Sequence, residues 1–404
     1  MDPLQYDIYQ RVMGRLDLTR EVSDQELMEL IREEICALGK RQYLAIDRRL
    51  ELQKSVFHSL RKLDVLEDLL ADESITEIMI NGPDNIFIER EGRLIQTDLA
   101  FSSREKLDDV IQKIVSANNK MVNESHPIVD TKLADGTRIN IVLPPVAVDY
   151  SIISIRKFPK TQITMDTLVA WESLSRELAE FIQKLVIAGY NIFCSGGTGS
   201  GKTTFLNAMA QYIPGDERII TIEDSAELQL LGVKNLVRLE AREATMEGKL
   251  AVTIRDLVRT SLRMRPDRVI VGECRGSEAI EMLQAFNTGH DGSFSTGHAN
   301  SASDMLSRLE TMALTAGEIP IAAIRAQIAS GVDVIIHLGR MRDRTRKVLE
   351  VAEVMGMEQG EIRLQTLYSF VEDGKGTKVQ GHWEKRNELF HREKMIRAGL
   401  RESC

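Results

Sequence analysis

Cysteine pairs, long apolar runs and aromatic–basic tracts are all missing from this chain, and each absence removes a class of explanation. Its four cysteines, Cys36, Cys194, Cys274 and Cys404, are scattered through 404 residues. None forms a C-x-x-C pair, so neither a structural zinc site nor a disulfide framework is expected. Cys194 falls in an apolar run, where a small packing role is the simpler reading. No apolar stretch approaches the length of a membrane span, and the N-terminus has no signal-peptide h-region. A cytoplasmic protein without a transmembrane segment is expected, with any membrane role acting through partners. Basic residues are not interleaved with aromatics as in single-strand binders, and the net charge of −9 argues against broad polyanion binding. No stable nucleic-acid partner is expected. No internal repeat or low-complexity tract interrupts the chain. What remains is a globular composition, 43% hydrophobic and 28% charged, long enough for two or three domains.

Residues 1–71 read as helical. Ser23 with Glu26 makes a capping box ahead of Leu27, Leu30, Ile31, Ile35 and Leu38. A second apolar series runs from Leu50 through Leu52, Val56, Leu60, Leu63 and Leu66 to Leu70. This region is either a small bundle or a docking module for a partner. Residues 72–158 change period. ITEIMI (75–80) and IFIER (86–90) read as strands, and Glu91-Gly92 turns the second into Arg93, Leu94 and Ile95. Ser102 and Glu105 are placed to cap a helix bearing Leu107, Val110, Ile111, Ile114 and Val115. A hairpin over 133–145 turns at Asp135-Gly136, and SIISIRKF (151–158) closes a compact α+β domain. Arg138 and Arg156 lie within strands, either as outward surface residues or as groups aimed at a phosphate across a subunit boundary.

Residues 159–172 lack periodicity and read as a linker. From 173 to 355 the pattern alternates as in an α/β domain. The loop GRMRDRTRK between two apolar runs reads as a solvated hairpin tip, and 356–404 as a C-terminal extension.

The chemistry centres on IAGYNIFCSGGTGSGKTTFLN (187–207). A buried strand is followed by Gly196, Gly197, Thr198, Gly199, Ser200, Gly201, Lys202, Thr203 and Thr204, and then by a helical pattern. This is G-x-x-x-x-G-K-[ST] in the strand-to-helix setting that the motif requires. Glycines let backbone N–H groups converge on phosphate at a helix N-terminus. Lys202 would reach the β- and γ-phosphates and Thr203 would hold Mg²⁺, so ATP with Mg²⁺ is the expected ligand. Hydrolysis also needs a group to orient water. Glu273 ends the aliphatic strand RVIVGE and is the best candidate, as a water-orienting carboxylate and as support for the metal. Gly272 precedes it where an Asp is usual. Glu223 and Asp224 end another strand. His290 and His298 bracket the strand-like SFSTGH and are candidates for phosphate sensing or water positioning.

Four motifs in order then carry a family resemblance. They are GGTGSGKTT (196–204), RIITIEDSAELQL (218–230), RMRPDRVIVGECRG (263–276) and TGHDGSFSTGHAN (288–300). With ITEIMINGPDNIFIEREGRL (75–94), DGTRINIVLPP and SIRKF, the chain resembles the type II/type IV secretion ATPases over about 55–355. It most closely resembles the CpaF-like ATPases of tight-adherence (Flp/Tad) pilus assembly. The resemblance implies a RecA-like P-loop domain preceded by a smaller α+β (PAS-like) domain, assembled as a homo-hexamer on inner-membrane platform proteins. It carries Glu273 over as the catalytic carboxylate, Glu223 as the Asp-box acid and His298 as the His-box residue. Arg138 and Arg156 match arginines that approach the γ-phosphate, and Arg265 lies near the Walker B strand. The tetracysteine zinc element of many type II members is absent, which favours the pilus branch. The function implied is ATP hydrolysis driving pilus assembly or secretion. The competing readings are a DNA-translocating motor and a nucleotide-gated scaffold without turnover.

Overall fold

The computed structural model describes residues 3–16, 22–40, 42–61, 63–90, 92–157, 163–230, 232–242, 250–374 and 376–400. The chain divides into two compact units, Met1–Thr161 and Gln162–Cys404. Cys404 and Glu91 lie outside the described residues.

The first unit begins with three helices, α1 (Pro3–Arg15), α2 (Asp24–Gly39) and α3 (Ile46–Arg61). The Ser23 hydroxyl accepts the Glu26 amide and starts α2 where the capping pattern predicts. Ile8, Val12, Leu27, Ile31, Leu52 and Val56 form the shared core. The second apolar series does not continue as one helix. Asp64 takes a φ of +57°, accepts the Ser59 hydroxyl at 2.7 Å, and separates α3 from the short α4 (Leu66–Ala71). Leu50 is left facing solvent, whereas Leu66 and Leu69 join the core of the adjoining sheet.

That sheet contains β1 (Ile75–Asn81), β2 (Ile86–Arg90), β3 (Arg93–Gln96), β4 (Ile128–Lys132), β5 (Arg138–Val142) and β6 (Ile152–Arg156), with helix α5 (Arg104–Ser116) between β3 and β4. The order is β3-β2-β1-β6-β5-β4, antiparallel throughout. Leu107, Val110, Ile111, Ile114 and Val115 of α5 all pack into its core. The cap of α5 is Ser103, accepting from the Lys106 amide, one residue later than expected. Strand alternation sends Ile153 and Ile155 inward and Ser154 and Arg156 outward.

The second unit starts within the stretch read as a linker. Thr164 caps α6 (Met165–Ala170), whose Met165 and Leu168 are buried in the core of this unit. There follow α7 (Arg176–Ile187), β7 (Ile192–Gly196), α8 (Lys202–Ala210), β8 (Arg218–Glu223), β9 (Asn235–Glu240), α9 (Ile254–Ser261), β10 (Arg268–Val271) and α10 (Glu278–Asn287). Next come β11 (Phe294–Gly297), α11 (Ala302–Leu314), α12 (Ile321–Gly331), β12 (Val334–Arg340), β13 (Arg346–Glu358), β14 (Glu361–Glu372), β15 (Gly381–Lys385) and α13 (Glu393–Arg397). The nine strands order as β15-β14-β13-β12-β7-β11-β10-β8-β9. From β9 to β12 the pairs are parallel, and from β12 to β15 antiparallel. Two apolar clusters cover the two faces, which is why β8, β10 and the first half of β12 read largely as apolar runs. The extension boundary placed at 355 is not a structural one, because β13 crosses it and β14 and β15 continue the same sheet.

Candidate active site

Strand β7 is buried along its whole length and delivers the loop 196–201 at its C-terminal end, where ligands meet parallel sheets. Gly196 admits no side chain: an ideal Cβ would lie 2.5 Å from both the Leu338 carbonyl oxygen and Ser200 Oγ. Gly201, at φ +92°, starts α8 without a side-chain cap. The first amides of α8 therefore lack a capping side chain and remain available to an anion. Lys202 is 8% exposed. Its Nζ donates to the Gly196 and Gly197 carbonyls, both at 3.1 Å. Burial lowers its affinity for the proton, and Glu273 acts against that effect. Thr203 stands in the first turn of α8, with Thr198 in the loop and Thr204 beside it.

One imidazole stands between Lys202 and the acidic side of the site. His298 follows β11 and places Nδ1 3.4 Å from Lys202 Nζ and Nε2 2.7 Å from Glu273 Oε1, an oxygen that is buried and makes no hydrogen bond among the described residues. Glu273 follows β10, the strand hydrogen-bonded to β11. Burial first, and the Lys202 charge second, hold His298 below the ordinary histidine range, so the ring is neutral at pH 7. The other oxygen of Glu273 accepts Arg275 Nε at 2.9 Å and a terminal Arg275 nitrogen at 2.5 Å. Arg275 also lies 3.7 Å from Asp224. The sequence reading missed Arg275, whose only signal was its place two residues after Glu273.

Glu223 ends β8, next to β10 in the sheet. Its Oε1 accepts the Glu227 amide at 2.8 Å and the Leu228 amide at 3.0 Å. Its Oε2 is buried without a partner among the described residues. Burial pushes this carboxyl up to about 7. Across from it, a Cβ on Gly272 would meet Glu223 Cγ at 2.8 Å. The glycine where an Asp is usual thus has a local cause, since Glu223 fills that space from the neighbouring strand.

Other predicted residues lie elsewhere. Arg265 is exposed, at φ +56°, in the turn that enters β10. Glu273 leaves the opposite end of that strand, so the fold of this unit separates the two. His290 likewise precedes β11 and sits 3.3 Å from the Ala285 carbonyl oxygen, at the other end of the strand from His298. Arg138 and Arg156 belong to the first unit and are directly opposed across β5 and β6. The basic loop GRMRDRTRK is not simply a solvated tip. Arg346 Nε donates to the Gly199 carbonyl at 2.9 Å, tying the β12–β13 hairpin to the phosphate loop. Cys194 is fully buried and its thiol is pushed up by burial, in keeping with a packing role.

The fold is that of a mixed α/β protein with a glycine-rich loop at the C-terminal end of a buried parallel strand. A family model described as type II/IV secretion system protein matches residues 59–380. The chain belongs to that family. It is 32% identical over 323 residues to the conjugal transfer protein TrbB of Rhizobium radiobacter, covering 78% of this chain and 96% of that one. It is 31% identical over 315 residues to the type IV secretion system protein PtlH of Bordetella pertussis, covering 72% and 93%. The X-ray structure of the Legionella pneumophila ATPase DotB shares the fold at a TM-score of 0.53 and 24% identity, covering 71% of this chain and 79% of that one. Among the described residues no helix is long and apolar enough to cross a membrane.

Proposed function

We propose that the protein is an ATP-hydrolysing motor subunit of a tight-adherence pilus or secretion machine. It works as a homo-hexamer held at the cytoplasmic face of the inner membrane by platform proteins. The observation that carries this reading is the placement of His298 between Lys202 and Glu273, which sets a phosphate cation beside a water-orienting carboxylate. The order of the four motifs and the missing tetracysteine element support the pilus branch.

ATP is the substrate. Among the described residues no group of three His, Cys, Asp or Glu side chains is arranged to hold a metal ion. The side chains assigned to the metal are one hydroxyl, Thr203, and one carboxylate, Glu273. Both are hard oxygen donors and too few for a protein cage, which fits Mg²⁺ completed by phosphate and water. When bound, Mg²⁺ neutralises phosphate charge. Lys202 turns from the loop carbonyls to the β- and γ-phosphates. Glu273 orients the attacking water and accepts its proton at Oε1, the oxygen left without a hydrogen bond among the described residues, while Arg275 holds the carboxylate through its other oxygen and neutral His298 stands beside it. Arg138 and Arg156, side by side on one strand pair, supply transition-state charge when they meet the γ-phosphate. Arg265, on the far side of β10, acts only toward a neighbouring copy.

Turnover of Mg-ATP by the wild type, abolished in Glu273→Gln, tests the reading; an inert wild type sinks it. Size measurement with and without Mg-ATP tests the ring. The likeness to a conjugal transfer protein favours a second reading, DNA translocation. Salt-dependent DNA binding that stimulates turnover would select it over pilus assembly.

A further inference from the structure

Arg340 ends β12 and Arg346 begins β13, and the two are direct cross-strand partners. Both are exposed. Like charges in such positions destabilise a sheet. The other basic side chains of this hairpin are engaged within the fold. Arg342 pairs with Glu372 and donates to the Gly376 carbonyl. Lys347 is buried, donates to the Glu172 carbonyl at 2.8 Å and lies over the Phe370 and Trp383 rings. Arg340 and Arg346 have no carboxylate partner among the described residues. Instead they face the phosphate loop. Arg346 binds the Gly199 carbonyl, and its Cδ lies 3.3 Å from where a Cβ on Gly201 would stand. An Arg340 terminal nitrogen lies 3.7 Å from the corresponding point on Gly199.

The sheet gives this pair a direction. Strand β7 lies between β11 and β12. His298 and Glu273, which mark the reacting end of the phosphates, lie on the β11 and β10 side. The hairpin lies on the other side. A phosphate chain running along the loop therefore turns its nucleoside end toward β12 and β13.

Resting on the proposed nucleotide-binding reading, we infer that Arg340 and Arg346 form a clamp for the nucleoside end of a nucleoside di- or triphosphate. Arg340 binds the α- and β-phosphate oxygens, which ATP and ADP share. Arg346 is a positioning residue that fixes the Gly199 peptide and adds charge beside it. Guanidinium suits this role because it stays charged and donates to two oxygens at once.

The test uses the full chain, Mg-ADP and a non-hydrolysable Mg-ATP analogue, with Arg340→Ala, Arg346→Ala and the double variant. Arg342→Ala is the charge-matched control. Each single substitution is expected to weaken both nucleotides equally, by about tenfold, as for loss of a charge-assisted contact. KM should rise while kcat at saturation stays within about twofold, because uniform binding is what is lost. Arg340→Lys should recover part of the affinity. Unchanged affinities, an effect shared by Arg342→Ala, or a loss confined to the triphosphate analogue would overturn the inference. The Arg340 side chain makes no hydrogen bond among the described residues, so its variant decides the matter if Arg346→Ala fails to fold. A wild type that binds neither nucleotide overturns the proposed function, and the inference falls with it. A binding wild type with unaffected variants overturns the inference alone.

Discussion

Glu223 occupies the space that a side chain at position 272 would need, with Cγ 2.8 Å from an ideal Cβ on Gly272. Contacts below about 3 Å force something to move, and here the mover would be a buried carboxyl held by two amides. Gly272→Ala is expected to cost about 1–3 kcal/mol, as for overpacking in a core. Chemical denaturation of Gly272→Ala, Glu223→Ala and the double variant measures the coupling. The double variant should be less destabilised than the sum, and strict additivity would show that the two residues do not compete for space.

Phosphate contact and chemistry are predicted to separate between residues. Lys202→Ala should abolish measurable nucleotide binding and turnover. Glu273→Gln and Arg156→Ala should keep most of the nucleotide affinity while lowering kcat by roughly 10²–10⁴-fold, the range for lost acid–base or transition-state charge. Equilibrium titration beside steady-state rates distinguishes them. Equal loss of affinity in all three would contradict this assignment.

The buried Glu223 predicts a pH-dependent stability. In the folded chain its proton is retained up to about pH 7, against an ordinary 4.5. Between those limits the folded state binds more proton than the unfolded one, so this residue's contribution falls as pH rises. The stability of the wild type relative to Glu223→Gln should therefore decline from pH 5 to pH 8, by on the order of 2–3 kcal/mol. Parallel melting curves for the two proteins over that range would remove this account.

His298 sits between Lys202 and Glu273, its proton affinity lowered by burial and by Lys202. Turnover should stay level from pH 7 to 8 and fall on the acid side, below the usual histidine range, as the ring gains a second proton. His298→Gln should remove that acid limb along with much of kcat. An unchanged pH–rate profile would show that the ring is not used.

Much of this arrangement is legible in the sequence because it is local. The change of period at Tyr190 and the glycines after Cys194 announce strand, loop and helix without help from the rest of the chain. Glu273 is legible because it follows the aliphatic run RVIV, and His298 because it closes a strand bracketed by two histidines; parallel strands bring those ends together. Arg265 shows the limit of that reasoning. It is close to Glu273 in sequence, but a strand lies between them and carries them to opposite ends. Arg340 and Arg346 were read as part of a solvated tip because their neighbour, Gly199, is about 140 positions away and meets them only through the β7–β12 register. Linker residues 165–170 were passed over because one short helix has too few turns to show a period, although Met165 and Leu168 are core residues.

The stem of the β12–β13 hairpin sets stability against use. Two cations placed opposite each other repel in an empty fold, and among the described residues only Arg346 has a bond to the loop to offset that. A library of this protein selected only for survival on heating, with no demand for nucleotide, should discard Arg340 early and keep the buried Lys347 beside it. Selection for turnover at a low ATP concentration should do the reverse, so the two enriched populations would diverge at a single rung of one ladder.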